Sequence, residues 1–507
     1  MPRANPLQPS FNAGEFSPRM AARTDFAKYP LACATLENMV PLPQGGASRR
    51  PGTCFVAEVK DSSKKIKLRR FEFSTEQAYV LECGEGYFRF YRNQGRIEVA
   101  ATDAAIANGT FDAGIAGWTD RSSGTGAIAH DATAEALALQ ANGAGNEAIA
   151  EQSVTTTDTG QEHVLRFRVL GAAGDAATLR IGTSSGGSQI LADTDFAVGW
   201  HVKAFTPMAS PFYIQFENAA AKTLAIDDVA IPSADAVELA SPYREDELFG
   251  LMQAQSADVL YLVHSSHPVY KLTRTGHTSW DLIEVAFEDG PYRTQNIGGT
   301  TLTPAATSGL GVTLTASSAA GINGGDGFTV DDIGRLVRLD NPASGVNWGW
   351  GRIVGFASAT QVTIDIERAF GSTNATANWR LGAWCGECGY PGAVTFQEQR
   401  LAFAATAAQP QSNWDGTVED DDALDFTISA DQVNAIQWLS PGRQLFIGTV
   451  GGEWAVRSSG SAITPADVDV KRQTTFGAAK LPPQIMRGRT MFIQRAGRKL
   501  MEMAFNL

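Results

Sequence analysis

Lys65-Ile-Lys-Leu-Arg-Arg-Phe-Glu-Phe73, then Ala78-Tyr-Val-Leu-Glu-Cys83, then, after Gly84-Glu-Gly86, Tyr87-Phe-Arg-Phe-Tyr91 decide the fold class. In the first stretch apolar and charged residues alternate, the period of a strand with one face on a core. Turn residues between the stretches predict antiparallel hairpins. The alternation sets Lys65, Lys67 and Arg69 on one face and Ile66 and Leu68 on the other.

Upstream, residues 1–50 carry Pro2, Pro6, Pro9, Pro18, Pro30, Pro41 and Pro43 with Gly14, Gly45 and Gly46. Proline interrupts both helix and ladder, so an extended N-terminal arm is expected, lying against another surface. Downstream the texture changes at Asn108-Gly-Thr-Phe-Asp112 and changes back after Ile226-Asp-Asp-Val-Ala-Ile231. Short alternating stretches between them, such as Val164-Leu-Arg-Phe-Arg-Val169 and Phe212-Tyr-Ile-Gln-Phe216, predict a β-sandwich insert over 107–235. That insert is expected to fold alone and to project outward. Residues 296–384, with Gly309 to Ala316 and Gln361 to Ile366, read as a second, small β-barrel or sandwich. Segments 51–106, 236–295 and 385–507 share one texture and are expected to form a single platform discontinuous in sequence. Within it, Tyr243 to Met252 reads as a short helix, with apolar residues at 248, 249, 251 and 252.

The 507 residues include 51 glycines and only 19% charged residues, a composition suited to many turns and short strands. The net charge of −13 is uneven. Residues 1–100 hold 15 Lys+Arg against 10 Asp+Glu, and 101–235 hold 6 against 16. This asymmetry also marks the insert as a separate module. The N-terminus has no apolar stretch of the signal-peptide kind, and no apolar run is long enough to span a membrane.

Few motifs carry chemistry. Cys33, Cys54, Cys83, Cys385 and Cys388 are too few and too scattered for a disulfide framework, and Cys385-Gly-Glu-Cys388 reads as reduced structural or surface thiols. His264-Ser-Ser-His267 precedes Pro268 and reads as a turn rather than a metal-binding helix. Glu419-Asp-Asp-Asp422 lacks the glycine and glutamate positions of an EF-hand loop and reads as a solvated loop. No P-loop, nucleophile elbow or zinc-protease motif occurs, so no catalytic residue is nominated and a structural role is expected.

Several motifs together resemble the tail nozzle (tail tubular protein B-like) family of short-tailed bacteriophages. They are Phe11-Asn-Ala-Gly-Glu-Phe-Ser-Pro18, Arg23-Thr-Asp-Phe-Ala-Lys-Tyr-Pro30, Thr35-Leu-Glu-Asn38, Pro43-Gln-Gly-Gly46 and Arg49-Arg-Pro-Gly-Thr53. Later matches are Phe396-Gln-Glu-Gln-Arg-Leu-Ala-Phe403, Asp420 to Phe426, Gly451-Gly-Glu-Trp454, Gln473-Thr-Thr-Phe-Gly477 and Arg495-Ala-Gly-Arg498. The resemblance covers about half the chain. It implies a propeller-like platform in a hexameric ring below the adaptor and portal. That ring forms the distal DNA-ejection conduit and holds tail fibres. Family members continue past the position matching Leu507, so a further C-terminal part is implied.

Under this resemblance Phe11, Arg23, Tyr29, Arg49, Arg50, Lys65, Lys67 and Arg69 are expected at assembly interfaces. A conduit must pass DNA without retaining it, and each basic phosphate contact strengthens binding. The overall negative charge suits that task, and the basic stretch from Lys64 to Arg70 is therefore placed against protein rather than DNA. Asn108-Gly-Thr-Phe-Asp112, Gly117-Trp118 and Ile226-Asp-Asp-Val229 resemble jelly-roll carbohydrate-binding modules. From this, Asp112 and Asp228 are candidates for structural calcium, Trp118 belongs to the core, and a host surface glycan is a possible ligand. Other readings are a virion depolymerase acting on surface polysaccharide, which should show a long β-helical ladder, and a hub or distal tail protein of a long-tailed phage.

Overall fold

The alternating stretches fold as strands Lys67–Glu72, Ala78–Gly84 and Tyr87–Arg92, paired antiparallel with Lys67 opposite Cys83 and Cys83 opposite Phe88. In the computed structural model, residues 7–74, 77–341, 348–405, 428, 435–458, 460, 463–464 and 467–503 are described. The run Glu419–Asp422, the match at 420–426 and the last four residues lie outside them. Strands dominate throughout. Among the described residues the only helical elements are four 3₁₀ turns of three residues each, so the chain is all-β as expected.

The alternation of the first strand holds, but its basic face is the inner one. Arg69 is 8% exposed and Phe71 is fully buried, whereas Leu68 on the opposite face is 58% exposed. Arg69 therefore leaves the expected basic surface. Its guanidinium donates to Gln253 Oε1 at 2.9 Å and to the carbonyls of Leu248 and Leu251 at 3.1 and 2.5 Å. Period two assigns residues to faces but not faces to solvent, and the carbonyls left free by the following turn supplied the acceptors.

Those carbonyls belong to 243–251, where the expected helix does not form. The segment is a run of turns with one i to i+4 bond, Leu251 N–H to the Glu247 carbonyl at 3.0 Å, before strand Met252–Ser256 begins. Pairing of that strand with Val259–His264 captures Met252, which the apolar spacing had assigned to a helix face.

Residues 107–235 build two facing sheets. One has five strands, in the order Leu191–Ala197, Ala176–Gly182, Phe212–Asn218, Ala148–Val154, Thr119–Asp120. Opposite it, Ala127–Asp131, Ala136–Gln140, Thr223–Ala230, His163–Leu170 and Gly199–Phe205 lie side by side. Trp118, Phe167, Phe196, Ile214, Phe216 and Ile226 fill the space between, so Trp118 is a core residue as expected. The sheet of this insert does not stop at its own edge. Its strand Gly199–Phe205 pairs onward with Trp280–Glu284, and the sheet continues through His267–Arg274, Val259–His264 and Met252–Ser256 to nine strands. Val164 and Val202 of the insert enter the core around Phe71, Phe88 and Leu282.

Trp280 stands at that join. Its ring stacks on Phe90 at 4.0 Å and meets Phe71 and Tyr79 edge-on at 5.2 and 5.3 Å. Residues from three separate stretches of sequence thus close on one buried indole.

Residues 296–384 form a six-stranded antiparallel sheet in the order Leu302–Pro304, Gly309–Ala316, Gln361–Arg368, Trp348–Ser358, Leu336–Asp340, Trp379–Leu381. It curls into a small barrel. Leu302 and Thr376 exchange both backbone hydrogen bonds, at 2.9 and 3.0 Å, and Trp379 Nε1 donates to the Thr300 carbonyl at 2.9 Å. Arg335 and Asp332, both buried, pair at 2.6 Å inside it.

Beyond the barrel, Cys385 and Cys388 are bonded to each other, which corrects the expectation of reduced thiols. The tight turn between them, with Gly389 N–H on the Cys385 carbonyl at 2.9 Å, brings the sulfurs together without any helix. Hairpin Ala393–Gln397 with Arg400–Ala404 follows, then a four-stranded sheet from Ile436 to Thr474 and a three-stranded sheet from Gln484 to Met503.

Residues 1–57 are a unit of their own. Its described part holds two-residue strands Gly14–Glu15 and Ala32–Cys33, two 3₁₀ turns and the hairpin Met39–Pro41 with Ala47–Arg49. None of its described apolar side chains is buried, while Phe11, Phe26, Met39, Val40 and Phe55 are exposed.

Truncating Trp280 to alanine should lower stability by about 3–5 kcal/mol, the usual cost of deleting a buried aromatic. Denaturant unfolding of the full chain measures it. Residues 107–235 made alone would leave Gly199–Phe205 as an open edge. They should melt below the same sandwich in the full chain and self-associate; a monomer of unchanged melting temperature would show that the shared ladder contributes nothing.

Candidate functional site

The expected assembly residues of the arm are held locally. Arg23 makes a two-pronged contact with Asp25 at 2.8 Å, and Arg50 Nε donates to Asn38 Oδ1 at 2.8 Å. Tyr29 Oη accepts the Ala22 N–H at 3.1 Å, and the Phe11 N–H donates to the Gly45 carbonyl at 2.7 Å. These contacts shape the loops while leaving Phe11, Arg23, Arg49 and Arg50 on the surface. On the platform, Lys65 is exposed with its N–H on Glu245 at 3.1 Å. Lys67 is half-buried, its ammonium 5.2 Å from the Phe249 ring centre.

Asp112 and Asp228 come from opposite ends of the insert's sequence, and the Val229 N–H, on the Gly109 carbonyl at 2.9 Å, brings the two segments side by side. Asp112 accepts from Thr110 Oγ1 at 2.8 Å, and Asp228 takes φ +52°. Between them Asp227 is pushed up to about 6 by burial, with the negative charges of Asp228 and Asp112 adding to the shift. Neither Asp112 nor Asp228 joins a group of three acidic, imidazole or thiol ligands among the described residues. Calcium there would draw the remainder of its oxygen shell from carbonyls and water.

The five-stranded sheet turns a polar face outward. On it Glu151, only 3% exposed, accepts from Ser185 Oγ at 2.9 Å, from the Gly186 N–H at 3.1 Å and from Arg121 Nε at 3.1 Å. Arg180 pairs with Glu217 beside it.

A cleft of about 620 Å³ opens where sandwich, barrel and platform meet. Lys222 of the sandwich bridges it, with Asp175 at 2.7 Å and Asp365 of the barrel at 2.9 Å. Glu284 lines it; burial raises its carboxyl above the usual range, with Arg352 opposing.

The His264–His267 pair is indeed on a turn, as the spacing implied, yet it does not stand alone. Glu247 brings its carboxylate to both rings, 2.7 Å from His267 Nε2 and 4.0 Å from His264 Nδ1. Glu247 sits seventeen positions upstream of His264, and no spacing rule links it to the pair. Burial lowers the His264 pKa, with Glu247 opposing.

No family model matches the chain, and no curated protein matches it. Among solved structures, one titled "BiXyn10A CBM1 APO" is similar at 18% identity over 26% of this chain and 99% of its own, with a TM-score of 0.23. Similarity at that level leaves function to be argued from the chain's own geometry. No helix among the described residues is long and apolar enough to cross a membrane.

The buried position of Arg69 separates it from its neighbours in a charge-reversal series. Arg69→Glu should abolish soluble folded protein, since it loses hydrogen bonds on the order of 3 kcal/mol and buries an unpaired charge. Lys65→Glu and Arg70→Glu should express and melt like the wild type. Equal melting temperatures for all three variants would place Arg69 on the surface.

Proposed function

We propose that this chain is a structural protein of a phage virion, the tail nozzle, acting by assembly into a ring and by lining the distal DNA conduit. The observation that carries this reading is the N-terminal unit. Its described residues have Phe11, Phe26, Met39, Val40 and Phe55 exposed and no apolar core. A segment of this kind cannot offset its ordering entropy alone and gains stability by docking on a partner. The same stretch carries the densest set of nozzle-like motifs. A neighbouring copy of the ring and the tail adaptor are the partners this reading assigns to it.

The body suits a scaffold with attachments. Its outward polar sheet face, with Arg180, Glu217 and Tyr213 in neighbouring strands, favours a glycan-contacting role for the sandwich insert within the same nozzle reading.

Antibody raised against residues 107–235 should label the distal end of purified virions as a ring in electron microscopy. Label elsewhere on the virion, or a chain missing from virions by mass spectrometry, would overturn the assignment. Deleting residues 1–50 should leave the body folded but remove the chain from assembled tails. Tails that incorporate the truncated chain normally would refute the docking role of the arm.

A further inference from the structure

His264 and His267 face each other across the tip of a hairpin, with only Ser265 and Ser266 between strands Val259–His264 and His267–Arg274. Residues directly opposed on an antiparallel pair send their side chains to the same face. The two rings lie 5.7 Å apart, centre to centre. The Glu247 carboxylate comes over that face, and one ligand atom from each of the three residues lies within 4.8 Å of the other two. Their side chains are 13%, 10% and 17% exposed for Glu247, His264 and His267, which shields the group while leaving access.

Neighbouring contacts hold all three in place. Glu247 Oε2 accepts the Arg244 N–H at 2.9 Å, and the Glu247 carbonyl accepts from Gly250 and Leu251. The Tyr243 ring stands edge-on to His267 at 5.2 Å. The hairpin tip is tied down by the Tyr390 N–H on the Ser265 carbonyl at 3.0 Å. A Cβ at Gly250 would come 3.2 Å from His264 Nε2, so bare backbone closes the far side of that ring.

A histidine–carboxylate hydrogen bond accounts for the 2.7 Å contact. It does not account for a second imidazole turned to the same carboxylate, whose Nδ1 meets the Ser266 N–H at the long distance of 3.3 Å. Two imidazoles and one carboxylate are a ligand set that zinc uses where it keeps an open position. Metal–ligand bonds of about 2.0–2.2 Å set tetrahedral ligand atoms about 3.4 Å apart. That value lies between the 2.7 and 4.0 Å separations of the two nitrogens from the carboxylate oxygens.

We propose that Glu247, His264 and His267 bind one late first-row divalent cation, with zinc as the probe. The fourth position is left to water or to a donor from another chain. The bound ion pins the hairpin tip to the 243–251 turns, whose carbonyls hold Arg69. It thereby tightens the platform core from its rim.

The full chain, stripped with a chelator and dialysed, is titrated with zinc chloride by calorimetry and followed by thermal melting. One equivalent should bind at micromolar concentration or tighter and raise the melting temperature by several degrees, while calcium chloride does neither. His264→Ala and His267→Ala should each weaken binding at least tenfold, and Glu247→Gln should weaken it measurably. His130→Ala, remote from the site, should bind like the wild type. Should the histidine variants misfold, the wild type still decides: cobalt(II) should give the intense visible bands of a four-coordinate site, removed by one equivalent of zinc. No stoichiometric binding, a six-coordinate cobalt spectrum, or binding unchanged in folded His264→Ala and His267→Ala would overturn the proposal.

Discussion

The antiparallel ladder between Gly199–Phe205 and Trp280–Glu284 organises the rest of the molecule. A strand edge left open exposes a row of unpaired N–H and carbonyl groups, and this pairing satisfies both edges at once. It turns what would be two sheets into one of nine strands. Once Gly199 to Val202 are registered against Ile283 to Trp280, Val202 falls into the platform core. The same register sets Trp280 against Phe90. His201 is fully buried beside its cross-strand partner Asp281, with Nδ1 2.8 Å from Oδ1, and its other nitrogen lies 2.7 Å from the Ala197 carbonyl. A slip by one residue would expose the indole and strand the imidazole away from its acceptors.

The buried charges tie distant segments together in the same way, through several acceptors each. Arg69 spends its guanidinium on two turn carbonyls and one glutamine. Arg335 meets Asp332, Asn323 and the Gly382 carbonyl. Such groups add little net stability against apolar replacements, but removing one partner is costly. Each therefore specifies one arrangement of chain segments distant in sequence. Lys222, between Asp175 and Asp365, does this at the contact of sandwich and barrel.

A body knit in this way contrasts with the N-terminal unit, none of whose described apolar side chains is fully buried. The contrast is thermodynamic. The body offsets its ordering entropy by burying its own apolar surface, whereas the arm has not done so within its own unit. Assembly is the natural source of the missing burial, which is why the nozzle reading rests on the arm rather than on any cleft. The Glu247, His264 and His267 group is independent of that reading, since its chemistry depends only on the hairpin and the turns beside it.

Strand identity was legible in the chain because side chains alternate with period two wherever one face is buried. Lys67 to Glu72, Val164 to Val169, Phe212 to Phe216 and Gln361 to Ile366 all fold as strands, as the alternation predicts. The core role of Trp118 was legible for a different reason, that a large aromatic side chain is most often buried. Which face of a strand met the core was not, because alternation is symmetric: Leu68 faces out, while Arg69 turns inward with Phe71 and there meets the turn carbonyls. The helix expected at 243–252 yielded to the pairing of Met252–Ser256, a choice that local spacing cannot express. Glu247 could not be joined to His264 and His267 from spacing, since the turn and the hairpin tip meet only after the sheet has formed. Local periodicity thus determined the elements. The union of insert and platform through one shared ladder was decided by tertiary structure, because unpaired strand edges find partners by position in space rather than by order along the chain.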